Sequence, residues 1–186
     1  MKTFTELQEG VYDPNILKAF FMAGGPGSGK SYVVKRTTGG LGLKIVNSDD
    51  IFEKYLLDAI GTLDIREIDP EQRDRIRGRA KRVTAARQAN YIDGRLGLII
   101  DGTGKDFDKI KNQSTRLKQL GYDVHMIFVN TSLDTALEQN QKRKRKLPDS
   151  MVTQLWNEVQ KNIGKFSQFF RRNFIVVDNN MAGEDV

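Results

Sequence analysis

Cysteine is absent from this 186-residue chain, and histidine occurs once. The first absence excludes disulfides, thiolate metal sites and a cysteine nucleophile. It fits a reducing compartment, and a cytoplasmic location is expected. The second excludes a metal site built from clustered histidines and confines any Ser-His-Asp arrangement to His125, inside the apolar run 123–129. A histidine in such a run reads as structural, because imidazole is often partly buried. No stretch approaches the roughly 20 apolar residues of a membrane span, and residues 1–6 carry no apolar signal region, so no membrane partner is expected. Acidic residues are the minority, 24 Asp and Glu against 30 Lys and Arg, for a net charge of +6.

The positive excess is local. Lys142-Arg143-Lys144-Arg145-Lys146 is five consecutive cations, and Arg73, Arg75, Arg77, Arg79, Lys81, Arg82 and Arg87 form a second basic stretch. Such blocks suit a polyanionic ligand: a nucleotide, a nucleic acid or both. A solvated helix face accounts equally well for the second stretch.

What the chain does contain is a phosphate-binding segment, Gly24-Gly25-Pro26-Gly27-Ser28-Gly29-Lys30-Ser31, which fits G-x-x-x-x-G-K-[ST] at every fixed position. An apolar run, residues 19–23, leads in, and a helix-compatible stretch, 32–36, leads out. Backbone N–H groups of Gly25, Gly27, Ser28, Gly29 and Lys30, backed by a helix N-terminus, favour a polyanion at one spot. Lys30 reaches toward β- and γ-phosphates, and the Ser31 hydroxyl suits Mg²⁺. A nucleoside triphosphate, with ATP as cofactor and Mg²⁺ as metal, is the expected ligand.

The length suits one α/β domain. Periodicity predicts strands at 18–23, 43–46, 96–101, 123–129 and 174–177. Helices are predicted from Gly29 to Thr37, over 49–59 with Ser48 as cap, from Pro70 to about Tyr91, and over 107–119 with Asp106 as cap. Two more should run from Ser132 to about 143 and from Pro148 to about 163. Residues from Asn179 to the end are expected to fray. Strands separated by helices imply crossover connections and a five-stranded, mainly parallel sheet flanked by helices, a three-layer architecture. Ligands bind at the carboxyl ends of such strands, where the phosphate loop, Asp49-Asp50 and Asp101 fall.

Phosphoryl transfer needs charge neutralisation and an aligned acceptor, and a kinase adds a carboxylate near the γ-phosphate. Asp49 and Asp50 follow the second strand and can divide the work, one taking the acceptor's proton, the other holding a neighbour or a metal-bound water. Helix starts also favour acids without any chemistry. Asp101, ending the third strand, can accept from Mg²⁺-bound water or from Ser31, and Asp-Gly is equally a turn dipeptide. The basic run suits a lid over phosphates, with Arg143 the first candidate to stabilise the transferring group and Arg145 the second.

The phosphate loop, Asn47-Ser48-Asp49-Asp50-Ile51, Asp101-Gly102-Thr103 and Gln139-Asn140-Gln141-Lys142-Arg143 before Leu147-Pro148 occur in an order that resembles the polynucleotide-kinase and zeta-toxin group of P-loop kinases, most closely small phage-type kinases. The resemblance covers about 18–178. It implies a P-loop NTPase fold with an Arg/Lys-rich lid at about 139–149 and a single kinase domain over 1–186. It also implies an aspartate general base (Asp49 matches polynucleotide kinases, Asp50 zeta toxins about as well) and Arg143 as lid arginine. The implied acceptor is a hydroxyl of a nucleic acid 5′ end, of a nucleotide or of a related small molecule such as a UDP-linked sugar. For a phage-encoded protein the location would be the host cytoplasm. Polynucleotide kinases place an arginine three residues after the base, where this chain has Phe52, and a first lid arginine is replaced by Gln139. The basic helix at about 70–93 has no counterpart in the group and is expected to wall the acceptor side. The alternative to a kinase is a P-loop ATPase, or a nucleotide- or nucleic-acid-binding module without a small acceptor.

Overall fold

Five short apolar runs become strands: β1 (Lys18–Ala23), β2 (Lys44–Val46), β3 (Leu98–Asp101), β4 (Asp123–Asn130) and β5 (Phe174–Asp178). In the computed structural model, which describes residues 15–38, 40–64, 68–143 and 145–180, they form one sheet in the order β2-β3-β1-β4-β5. Every pairing is parallel, so the mainly parallel sheet expected from the sequence is wholly so. The strand that ends at the phosphate loop therefore lies at the centre, between the strand ending at Asp101 and β4.

Seven helices cover the sheet among the described residues: α1 (Lys30–Thr38), α2 (Ser48–Ile60), α3 (Pro70–Asp93), α4 (Phe107–Gln119), α5 (Leu133–Gln141), α6 (Asp149–Gln160) and α7 (Ile163–Phe170). Alternation along the strands assigns each side chain to a face. Ala19, Phe21, Val124, Met126 and Phe128 enter a core closed by Leu117 of α4, Val159 of α6 and Phe166 and Phe170 of α7. Met22, Ile99, Ile127 and Val129 enter the opposite core, closed by Val33 and Val34 of α1. A third cluster, Phe52, Leu56, Ile68 and Ala80, lies away from both, between α2 and α3. These two helices form an excursion between β2 and β3 and pack on each other. His125 stacks on Phe20 (centroids 5.3 Å apart) and pairs with Asp123 at 2.9 Å, the structural role expected of it.

Three expectations are corrected. The cap of α2 is Asn47, not Ser48: Asn47 is extended (φ −133°, ψ 122°) and its side chain accepts from the Asp49 N–H at 2.8 Å, whereas Ser48 is already helical. The helix from Pro148 ends at Gln160 and a separate helix, α7, follows. At the break lies the buried Asn162, whose side-chain amide donates to the carbonyls of Gly104 (3.1 Å) and Lys105 (2.8 Å). Asn179 and Asn180 are not frayed: the Asn179 side-chain amide donates to the Ser28 carbonyl at 2.9 Å, and Oδ1 of Asn180 accepts from the Ser132 N–H at 2.6 Å. The rest of that tail, 181–186, lies outside the described residues.

Candidate active site

Between β1 and α1 the backbone folds into a cradle that tolerates no side chain at Gly24, Gly27 or Gly29. Gly27 and Gly29 have φ of 80° and 81°, a left-handed conformation that suits glycine. A Cβ on Gly27 would strike the Ala136 carbonyl of α5, and one on Gly29 would strike the Asn179 amide. The Gly24 N–H donates to the Thr103 carbonyl at 3.0 Å, which ties the cradle to the loop after Asp101. Lys30 opens α1 and its Nζ donates across the loop to the carbonyls of Gly24 (2.8 Å) and Gly25 (3.1 Å). No acidic side chain occupies the first turn of α1, so the positive helix terminus is left to an anion. Burial lowers the pKa of Lys30, and Arg143 adds to the fall while Asp101 and Asp49 oppose it.

The three acids converge beside this cradle. The Asn47 amide donates to Asp101 Oδ2 at 3.1 Å and to Asp50 Oδ1 at 3.3 Å, so the residue that caps α2 also aligns two carboxylates. Ser31, Asp50 and Asp101 line one cavity of about 730 Å³, together with Lys35, Ile45 and Asn47. Desolvation raises the pKa of Asp101, with Lys30 as the main opposing charge. Asp50 is raised too, by desolvation and by Asp49, against the pull of Arg145. The hydroxyl of Ser28 and Oδ1 of Asp101 are buried without a hydrogen-bond partner among the described residues. Buried polar atoms normally find partners. A triphosphate tail with Mg²⁺ would supply them, because the metal in such loops is held by one hydroxyl, phosphate oxygens and water. The residues present fit that group.

Asp49 faces the other way, toward the arginines. Its Oδ1 lies 3.3 Å from Arg77 Nη1 of α3, and its Oδ2 lies 3.4 Å from Arg145 Nη2. Arg145, with 9% of its side chain exposed, also pairs with Glu53 at 3.2 Å. Arg143 is exposed and lies close enough to shift both Lys30 and Asp101. The loop bearing both is closed by Asn140, fully buried, whose side chain donates to the Leu147 carbonyl (2.8 Å) and accepts from the Leu147 N–H (3.1 Å). Because α5 runs to Gln141, the loop proper is 142–148, and Lys144 lies outside the described residues.

The structure thus brings Lys30, Ser31, Asp49, Asp50, Asp101, Arg143 and Arg145 to one edge of the sheet, with Arg145 turned toward Asp49 and Glu53. Sequence reasoning missed the four residues that organise them: Asn47, Asn140, Asn179 and Arg77. The only available signal was Asn47 before two acids, a cap pattern.

The zeta toxin family model matches residues 7–182. No curated protein matches the chain. Among solved structures, the AvrRxo1-ORF1:AvrRxo1-ORF2 complex, determined with sulphate ions and with ATP, is 15% identical, with a TM-score of 0.69 over 91% of this chain and 56% of that one. A chain of the Pnkp1/Rnl/Hen1 RNA repair complex is 16% identical, with a TM-score of 0.63 over 88% of this chain and 49% of that one. The PezAT chromosomal toxin-antitoxin system of Streptococcus pneumoniae is 17% identical, with a TM-score of 0.58 over 96% of this chain and 72% of that one. The chain therefore spans about half the length of the first two structures. No helix among the described residues is long and apolar enough to cross a membrane.

Proposed function

This chain belongs to the zeta toxin family, and from that premise we propose that it is an ATP-dependent kinase whose acceptor is a hydroxyl on a nucleic acid 5′ end, a nucleotide or a related small molecule. One observation carries the reading: a complete phosphate cradle has two carboxylates, Asp101 and Asp49, and Arg143 within electrostatic reach of its lysine, with Asp50 beside Asp101 on the shared Asn47 amide.

In this reading the amides of 25–30 and the Lys30 ammonium hold the β- and γ-phosphates. Ser31 and Asp101, with Asp50 beside them in the same cavity, would hold Mg²⁺, and the bound metal would neutralise charge across the phosphates. Asp49 takes the acceptor's proton. What supports this role is that Asp49 is close enough to Lys30 to act on its charge and yet does not line the cavity shared by Ser31, Asp50 and Asp101. Arg143 stabilises the charge spread over the transferring group, and closure of 142–148 limits loss of ATP to water.

Incubation with γ-labelled ATP and a panel of 5′-hydroxyl oligonucleotides, nucleosides, nucleotides and UDP-linked sugars tests the proposal. At least one acceptor should gain label. Asp49→Asn should bind ATP within about threefold of wild type and lose transfer by about 10²–10⁴, the usual contribution of a general base. Label released only as inorganic phosphate would point instead to an ATPase. Full transfer by Asp49→Asn, with Asp50→Asn inactive, would move the base by one residue.

A further inference from the structure

We propose that Glu53, on α2, is a positioning residue: through Arg145 it seats the loop 142–148 on α2, and so sets where Arg143 meets the phosphoryl group that leaves ATP. The inference rests on the lid role given to this loop above and names the residue that fixes its closed position.

Arg145 is the one buried residue among those described in the loop, whereas Lys142, Arg143 and Lys146 are exposed. Taking a guanidinium out of water is costly unless carboxylates accept its N–H groups. One face of α2 supplies them. Nη2 of Arg145 lies 3.4 Å from Asp49 Oδ2, its Nε lies 3.2 Å from Glu53 Oε1, and its guanidinium carbon stands 5.7 Å from the centre of the Phe52 ring. Asp49 and Glu53 are four residues apart, a spacing at which like charges weaken a helix. The guanidinium bridges them and turns that repulsion into attraction.

An ion pair that merely adds stability is the plainer account, and the fold does not need one here. An apolar cluster already fixes α2 on α3, and Asn140 already closes the base of the loop. Neither fixes the middle of the loop relative to α2, which is what Glu53 does. Asp49 alone could not serve as well, because it is also paired with Arg77. Two guanidiniums thus face two carboxylates, and without Glu53 the proposed base would be the one carboxylate left for both. Arg143 stands two residues before Arg145, at most about 7 Å along the chain, and its charge acts on Lys30 and Asp101. Seating Arg145 therefore limits where Arg143 can reach. One lid arginine is spent on position, and the other is left for chemistry.

Turnover of γ-labelled ATP with Mg²⁺ tests this, measured beside a 5′-hydroxyl oligonucleotide and UDP-N-acetylglucosamine and counted as label on either probe plus label released as phosphate. Glu53→Gln should lower kcat about tenfold or more while ADP affinity, by calorimetry, stays within about twofold. Glu53→Asp keeps the charge and should retain part of the rate. In an Arg145→Gln background Glu53→Gln should cost less than about twofold more, because Glu53 acts through that side chain. Trypsin should cut within 142–146 about fivefold faster in Glu53→Gln than in wild type, at a temperature where both are folded. Asp58→Asn, at an exposed position of the same helix, should match wild type throughout. Wild-type kcat in Glu53→Gln, unchanged cleavage of the loop, or a full further loss in the Arg145→Gln background overturns the assignment. If wild type releases all its label as phosphate and Glu53→Gln still slows that release, the seat stands and the kinase reading fails instead.

Discussion

Burial of Asp101 at the end of β3 sets folding against chemistry within a single side chain. Its carboxyl retains its proton to higher pH in the folded chain than in the unfolded one, chiefly through desolvation. The unfolded state therefore loses its proton first as pH rises. Stability associated with this group is full below the ordinary aspartate range and is lost as pH climbs through the raised folded value. Asp101→Asn removes the charge but keeps the shape. The variant should melt above wild type at pH 7.5, by about 2–4 °C for each ~1 kcal/mol recovered in a chain of this size. The gap should close near pH 3, where wild type is neutral too. Scanning calorimetry across pH 3–8 measures this, and a variant less stable than wild type at neutral pH would contradict it. The same substitution should weaken Mg²⁺ affinity in the presence of ADP by about 10–100-fold.

At the scale of elements, the loop proposed as a lid is closed by one side chain. Asn140 reaches both backbone groups of Leu147 from the end of α5, and from this fixed base Arg145 reaches Asp49 while Arg143 acts on Lys30. Asn140→Ala strands a buried N–H and C=O, a cost of about 1–3 kcal/mol. It should also reduce transfer far more than ATP binding, because the cradle does not depend on the loop for its amides. Equal losses in kcat and in ATP affinity would argue against this division of labour. Much of the architecture was legible in sequence, since strand alternation, the Asp106 cap, Pro70 and the phosphate loop are local signals. The asparagine contacts were not legible. Asn140, Asn162 and Asn179 bond to carbonyls 7, 58 and 151 residues away, and an asparagine's preference for turns and caps says nothing about such partners. For the same reason Arg77 looked like one cation among seven. Only the docking of α3 on α2 separates it from its exposed neighbours, and α3 is too polar all round for periodicity to reveal which face turns inward.

The whole molecule couples its cradle to its core through α6. Trp156, the sole tryptophan, donates its indole N–H to the Thr131 carbonyl at 2.9 Å, and a Cβ added to Gly25 would lie 3.5 Å from its ring and Cα. The indole thus packs on the phosphate loop while its helix buries Val152 and Val159 in the interior. A ligand that orders the loop must alter the surroundings of this one fluorophore. Titration with ADP and Mg²⁺ should change Trp156 emission saturably, and the same titration should raise thermal stability. Binding to the folded state alone contributes about 2.7 kcal/mol at a ligand concentration 100 times Kd, which corresponds to about 5–10 °C here. Lys30→Ala should abolish both responses together, because the ammonium that bridges Gly24 and Gly25 is what joins the nucleotide to the loop on which the indole rests. A thermal shift without any change in emission would mean that the nucleotide binds elsewhere than in the cradle, since no other tryptophan can mask or mimic the signal.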